Sequence, residues 1–364
     1  MTSIFESLRE FAFKGWPNRS NCRCEDHEPV ELPPDKWFDG KWYRNHFTHP
    51  PLAEGGLGFA SWLLSRIWNH WKEKAPPAHT TPLNLPSIQQ PASPQITWLG
   101  HATVLIQIDG QNILVDPCLI WSPTLLSLAR RLIPSPIKIS EFPRIDIVLI
   151  THNHQDHLDE AALRAIVVDQ QQRLGNVPQF FVPSGLNIWI HKHLAIHATP
   201  IPWWGEECVD NLKIMATPAQ HWSSRGSEIN QSHWCGWLLK TDNHCIYVSG
   251  DTGYSNYQDR GVGNCQDFRK IKLEYGPIDL AIISVGDCHP EWFMCTHHIS
   301  PKQAVEIHKD LGAKCSVAVH WGTFDLSDEF PDQAVPLELA RACESARVPL
   351  ENFFTMNIGE TRPM

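Results

Sequence analysis

The stretch Thr151-His152-Asn153-His154-Gln155-Asp156-His157-Leu158-Asp159 places three imidazoles and two carboxylates within nine residues. Neutral imidazole nitrogen and carboxylate oxygen are side-chain ligands of transition metals. The apolar run before it, Ile145-Asp146-Ile147-Val148-Leu149-Ile150, reads as a buried strand. The run after it, Leu158 to Val168, carries apolar positions at helical spacing. The cluster therefore sits where a strand ends and a helix begins. Side chains at i and i+2 of extended backbone share a face, so His152 and His154 reach one ion together. Asp156 and His157 fall where the chain turns into the helix and point toward a second ion. Asp159 is placed as an outer carboxylate that orients one of the histidines.

Further ligands are needed to fill two coordination spheres, and each is expected at the end of an apolar strand. His221 follows Leu212-Lys213-Ile214-Met215-Ala216-Thr217, Asp251 follows Cys245-Ile246-Tyr247-Val248, and His320 follows Ser316-Val317-Ala318-Val319. A single His after a strand is weak evidence, and Gly250-Asp251-Thr252-Gly253 alone could be an ordinary turn. Their occurrence together, in this order, carries the argument.

Thr97-Trp98-Leu99-Gly100-His101-Ala102-Thr103, Asp116-Pro117, Ile145 through Asp159, Phe181-Val182-Pro183, Trp203-Trp204, Gln220-His221-Trp222, Gly250-Asp251-Thr252-Gly253-Tyr254, Trp292-Phe293-Met294 and Val319-His320-Trp321-Gly322-Thr323-Phe324 extend the pattern. Over roughly Pro94 to the C-terminus the chain resembles the metallo-β-lactamase superfamily. Within it, the chain is similar to the N-acylphosphatidylethanolamine-hydrolysing phospholipase D family. The resemblance implies an α/β (α+β) fold, an αββα sandwich with the metals at one edge between the sheets. It implies two zinc ions: His152, His154 and His221 on the first, Asp156, His157 and His320 on the second, Asp251 bridging both. Zinc suits these ligands best, although manganese or iron also occupies imidazole–carboxylate sites. Hydroxide held between the ions would attack a phosphodiester, with Asp156 and Asp251 in the catalytic set and His298 near the leaving oxygen. His101 and Asp116 would support the ligands from outside. Trp203, Trp204, Trp292, Phe293 and Met294 would line an apolar groove for lipid tails, or else fill the core. The family carries tyrosine where this chain has Gln155, a departure that bears on headgroup contacts rather than on metal binding. The implied partners are a phospholipid substrate, a membrane surface met peripherally, and a second copy of the chain in a homodimer. A soluble hydrolase of a small ester, such as a sugar-phosphate lactone, is the alternative.

Composition bounds these readings. The chain has 364 residues, 42% of them hydrophobic, enough for a sizeable core. A net charge of −10 argues against a nucleic-acid partner, whose phosphates need a basic track. Eleven scattered cysteines, an odd number, suit a reducing compartment; Cys22 and Cys24 are close but lack a second pair with zinc-finger spacing. The first residues show no signal peptide, and no apolar run reaches the length of a membrane span. A cytoplasmic, peripherally membrane-associated protein is expected, not a secreted one. Residues 1–93 read as an N-terminal extension and 94–364 as the catalytic domain. Within the extension, Phe59, Leu63, Ile67 and Trp71 recur at helical spacing. That helix either lies on a membrane or packs on the catalytic domain.

Overall fold

The computed structural model describes residues 36–45, 56–69, 72–123, 129–254 and 266–364. Cys22, Cys24 and Trp71 lie outside the described residues, as do the side chains of Phe59 and Trp292. The strands, in chain order, are β1 (Gln95–Gly100), β2 (Thr103–Ile108), β3 (Gln111–Val115), β4 (Arg130–Arg131), β5 (Ile147–Leu149), β6 (Gln179–Pro183), β7 (Ala198–Ile201), β8 (Glu206–Val209) and β9 (Leu212–Thr217). They continue as β10 (Ser224–Arg225), β11 (Glu228–Ile229), β12 (Gly236–Lys240), β13 (Cys245–Val248), β14 (Leu280–Ser284), β15 (Cys315–Val319), β16 (Phe324–Asp325), β17 (Phe353–Thr355) and β18 (Thr361–Pro363). Two seven-stranded sheets form, ordered β18-β1-β2-β3-β5-β6-β7 and β17-β15-β14-β13-β12-β9-β8.

Strand sequence explains the layering. Along the first sheet, Trp98, Val104, Ile106, Ile113, Ile147, Leu149 and Phe181 face the second sheet. The alternating Leu99, Leu105, Leu114, Val148, Phe180 and Val182 face outward, under the helices Glu160–Leu174 and Leu186–Leu194. Both faces are buried, which is why these strands are continuous apolar runs. The second sheet is covered by Gln266–Tyr275, Pro301–Leu311 and Val335–Ala346, whose Phe268, Ile271, Ala304, Ile307 and Leu339 join the central core. The result is the expected αββα sandwich. Asp109-Gly110 forms the expected hairpin turn, with both residues at positive φ as that turn requires.

The extension, where described, does not stand apart. Thr80 bridges Ile358, the Ala78 N–H donates to Gly322, and Ile88 is buried beneath the first sheet. The helix Gly56–Asn69 is docked by its polar side. Arg66, 2% exposed, lies 2.8 Å from Asp325 and 3.1 Å from Asp328, and Asn69 donates to Asp328. Trp62 stacks on Phe293 with centroids 5.4 Å apart. Leu63 and Ile67, from the apolar stripe seen in the sequence, instead face outward with Leu64 and Trp68. Among the described residues no helix is long and apolar enough to cross a membrane.

Candidate metal centre

Strand direction gathers the site. β3, β5, β6 and β7 run parallel, as do β13, β14 and β15, and β9 shares the direction of β13 through their common neighbour β12. Carboxyl ends of such strands are where open α/β sheets hold their ligands. There β5 runs into His152–His157, β9 into His221, β13 into Asp251 and β15 into His320.

All seven residues expected as ligands converge. The ligating atoms of His152, His154 and His221 lie within 4.8 Å of one another, and those of Asp156, His157 and His320, joined by His101, do the same. Asp251 stands between the groups. Its Oδ2 is 3.2 Å from Nε2 of His157 and 3.8 Å from Nε2 of His221, while Oδ1 is 3.1 Å from Nε2 of His320.

Outside partners fix which nitrogen of each ring faces inward. Asp116 accepts from Nδ1 of His157 at 2.8 Å and from the Thr151 hydroxyl at 2.6 Å. Having given its proton to Asp116, that hydroxyl accepts from Nδ1 of His152 at 3.0 Å. The carbonyl of His297 accepts from Nδ1 of His221 at 3.0 Å. The three Nε2 atoms are therefore the ones turned inward, and each offers a lone pair when its ring is neutral. They meet other nitrogens head-on: His152 Nε2 is 2.9 Å and His221 Nε2 3.3 Å from Nδ1 of His154, and His157 Nε2 is 3.1 Å from Nε2 of His320. Nitrogens about 2.1 Å from one tetrahedral ion sit roughly 3.4 Å apart, so the spacing suits a shared cation. Nε2 of His154 is buried without a partner, as expected of a ring whose Nδ1 serves the ion. The donor set fits a metal.

The charges agree. Burial, then neighbouring imidazoles, holds His152 well below its ordinary value, and burial brings His154 to about 4. Burial would also lower His157 and His320, but Asp251 and its neighbours outweigh it and raise both. Asp251 stays ionised because His157 and His320 overcome the cost of burial.

His101 and Asp116 both touch residues of the cluster. A bulge where β1 meets β2 and a left-handed φ of 50° at His101 turn its ring onto Asp156, Nε2 to Oδ2 2.9 Å. His298 is brought beside the cluster, with Nδ1 3.9 Å from Oδ2 of Asp251. Asp159 corrects the sequence reading: it orients no histidine. One oxygen caps the helix through Ala162 N–H, and the other accepts from the amides of Leu119, Ile120 and Trp121. For Trp203 the groove assignment is corrected in favour of its alternative, the core: it is buried, donates to the Trp234 carbonyl and stacks on His233. Trp204 packs at the edge of that core beneath Lys270. Among the described residues, Trp222 is the tryptophan that reaches the cluster, partly exposed, its ring 4.8 Å from that of His154. Phe293 and Met294 are half-buried in the short helix Glu291–Met294 that precedes His298. Gln155 lies on the outside of the metal-binding turn and accepts from the Trp121 indole at 3.1 Å.

Four supporting residues escape sequence reasoning. Thr151 links Asp116 to His152, and Arg225 donates to the carbonyls of Asn153 and Leu158 at the two ends of the turn. Asp287 lies 3.5 Å from Nδ1 of His320; its place just after a strand, like that of Asp251, was the available signal. Asn45 accepts from the backbone N–H of His221 at 2.9 Å across 176 residues, and nothing local could have pointed to it.

Residues 111–321 match the model of the beta-lactamase superfamily domain. An N-acyl-phosphatidylethanolamine-hydrolyzing phospholipase D of Caenorhabditis elegans is 36% identical over 72% of this chain and 74% of its own length. The chain belongs to the metallo-β-lactamase superfamily, in the N-acylphosphatidylethanolamine-hydrolysing phospholipase D family. A Saccharomyces cerevisiae relative of the same name, described as mitochondrial, is 34% identical over 64% of this chain, which spans 48% of that protein. A metallo-hydrolase from the archaeon Ignicoccus hospitalis superposes with a TM-score of 0.54 at 22% identity, over 74% of this chain and 98% of its own, and shares the fold. The protein is a metallo-β-lactamase-fold hydrolase with a candidate His/Asp metal cluster.

Proposed function

We propose that this hydrolase is a two-zinc phosphodiesterase of the phospholipase D type, converting N-acylphosphatidylethanolamine to an N-acylethanolamine and a phosphatidic acid. The observation that carries this reading is the pair of ligand triads sharing Asp251, in a chain 36% identical to a relative named for that reaction. His152, His154 and His221 would hold one ion, and Asp156, His157 and His320 the other, with Asp251 between them. Bound there, such a pair supplies water acidified toward neutral pH and positive charge opposite the phosphoryl oxygens.

The chain's own residues do the rest. The oxygen of water bonds to phosphorus, the bond from phosphorus to the ethanolamine oxygen breaks, and that oxygen gains a proton. His298 is the group we assign to the leaving oxygen. Burial brings its pKa to about 4, so at neutral pH it offers an uncharged N–H to a developing negative charge. Asp156 and Asp251 remain ionised and hold the geometry. Trp222, Phe293 and Met294 supply apolar surface for the acyl chains, and Gln155 stands where a headgroup would pass.

A lipid substrate calls for a lipid surface. Leu63, Leu64, Ile67 and Trp68 form an exposed apolar side on the helix that stacks through Trp62 onto Phe293. We assign this side to the membrane. The homodimer implied by the family belongs to the same proposal.

The test is incubation with N-acylated phospholipid in mixed micelles and measurement of released acylethanolamine. Release that disappears in His154→Ala supports the reading. Turnover confined to soluble esters or lactones would replace it with the alternative.

A further inference from the structure

We infer that Asn45, in the N-terminal extension, is a positioning residue of the metal centre, holding the backbone of His221 in place. The inference rests on the metal-binding reading of the cluster.

His221 is fully buried, so its backbone N–H must find an acceptor within the protein. The other anchors of its loop come from the catalytic domain. Gln220 N–H donates to the Thr252 hydroxyl, and Gly253 N–H donates to the Gln220 carbonyl. The N–H of His221 itself goes to Oδ1 of Asn45 at 2.9 Å. The same oxygen accepts from the indole N–H of Trp234 at 3.1 Å, and that indole also donates to the Ala219 carbonyl at 2.9 Å. A single amide oxygen thus holds the ligand directly and, through the buried Trp234 indole, the chain two residues before it.

The segment carrying Asn45 is built to present it. Trp37 packs edge-on against Trp203 at 5.3 Å, and Tyr43 stacks on His233 at 4.7 Å. Tyr43 N–H donates to the Asn230 carbonyl, and Nε2 of His233 donates to the carbonyl of Arg44. Gly185 leaves the space: a Cβ there would come within 3.1 Å of the Tyr43 ring. These contacts close over Trp203, which accounts for its burial. With Nδ1 of His221 fixed by the His297 carbonyl, Asn45 supplies the second constraint that aims Nε2 at the first ion position.

The test measures metal affinity of the full-length protein, stripped and reloaded, by competition with a chromogenic chelator, alongside the visible spectrum after cobalt substitution. Asn45→Ala leaves a buried N–H without an acceptor; affinity for one of two ions is expected to fall roughly 10- to 100-fold, with an altered cobalt spectrum. Asn45→Asp, which keeps the acceptor oxygen, is expected to restore both. Thermal unfolding of the stripped variants separates a folding defect from a binding one, and Trp37→Ala loosens the same segment without touching His221. Wild-type affinity and spectrum in Asn45→Ala would overturn the inference. So would equal metal loss in Trp37→Ala and Asn45→Asp. A wild-type protein that takes up no metal would instead overturn the metal-centre reading.

Discussion

Oδ2 of Asp116 lies 2.8 Å from Nδ1 of His157, and this one contact decides which nitrogen of that ring can face a metal. An amide in place of the carboxylate could turn its NH2 toward the ring N–H, and the tautomer would no longer be fixed. Asp116→Asn is expected to cut metal affinity roughly 10- to 100-fold while the fold survives. Elemental analysis after graded chelation checks this, and wild-type retention would show that Thr151 alone suffices.

Gly250 sits at φ +58°, and a Cβ there would lie 2.8 Å from the Cys235 carbonyl and 2.9 Å from Cβ of Thr151. Neither neighbour is the free end of a flexible chain. Gly250→Ala is expected to cost about 1–3 kcal/mol in a denaturant titration, from left-handed strain plus the clash. Because Thr151 orders His152 and Asp116, metal content should fall too. Unchanged stability would mean that the turn relaxes freely.

Arg66 is enclosed by Asp325 and Asp328, with Lys74 also 2.8 Å from Asp328. Removing the guanidinium leaves buried carboxylate only partly compensated, so Arg66→Ala should cost about 3 kcal/mol. Burial works against ionised Asp328, but Asn69, Lys74 and Arg66 outweigh it and hold its pKa below the ordinary 3.8. A depressed carboxylate contributes stability above its unfolded value, and that contribution drains away as pH falls through the folded value. Docking of Gly56–Asn69 should therefore persist down to about pH 4 and weaken below it. Amide exchange in that helix reads the effect, and Asp328→Asn should blunt the acid dependence.

Leu64 and Trp68 are 59% and 54% exposed. Leu64→Glu combined with Trp68→Glu should leave the melting temperature unchanged, since neither side chain fills the core. Vesicle flotation should drop by about tenfold or more as apolar insertion is replaced by charge. Equal flotation would remove this side of the helix from the membrane proposal.

Much of the centre was legible because its ligands sit at strand ends, and buried strands announce themselves as apolar runs. His221, Asp251 and His320 could be found that way although they are far from His152 in sequence. Asp159 was misread because a carboxylate after a metal motif and a helix N-cap look identical in one dimension. Trp203 was misread because a loop tryptophan can turn inward when a distant indole and imidazole offer partners. The stripe Leu63–Ile67 was correctly periodic, but periodicity cannot say which side is docked, and a buried Arg66 reversed it. The Asn45 contact lay beyond reach, since register between an extension and a sandwich is set by packing alone.

The ligand set has a consequence for the molecule as a whole. His152, His154, Asp156 and His157 hang from one sheet, whereas His221, Asp251 and His320 hang from the other. Cations seated among them would rivet the two halves together at a single rim. Their binding energy would then enter the stability of the whole sandwich, growing with the logarithm of free metal concentration. Starving the protein of metal would do more than silence it: it would leave the two halves joined at that rim by little more than the ion pair that Asp251 makes with His157.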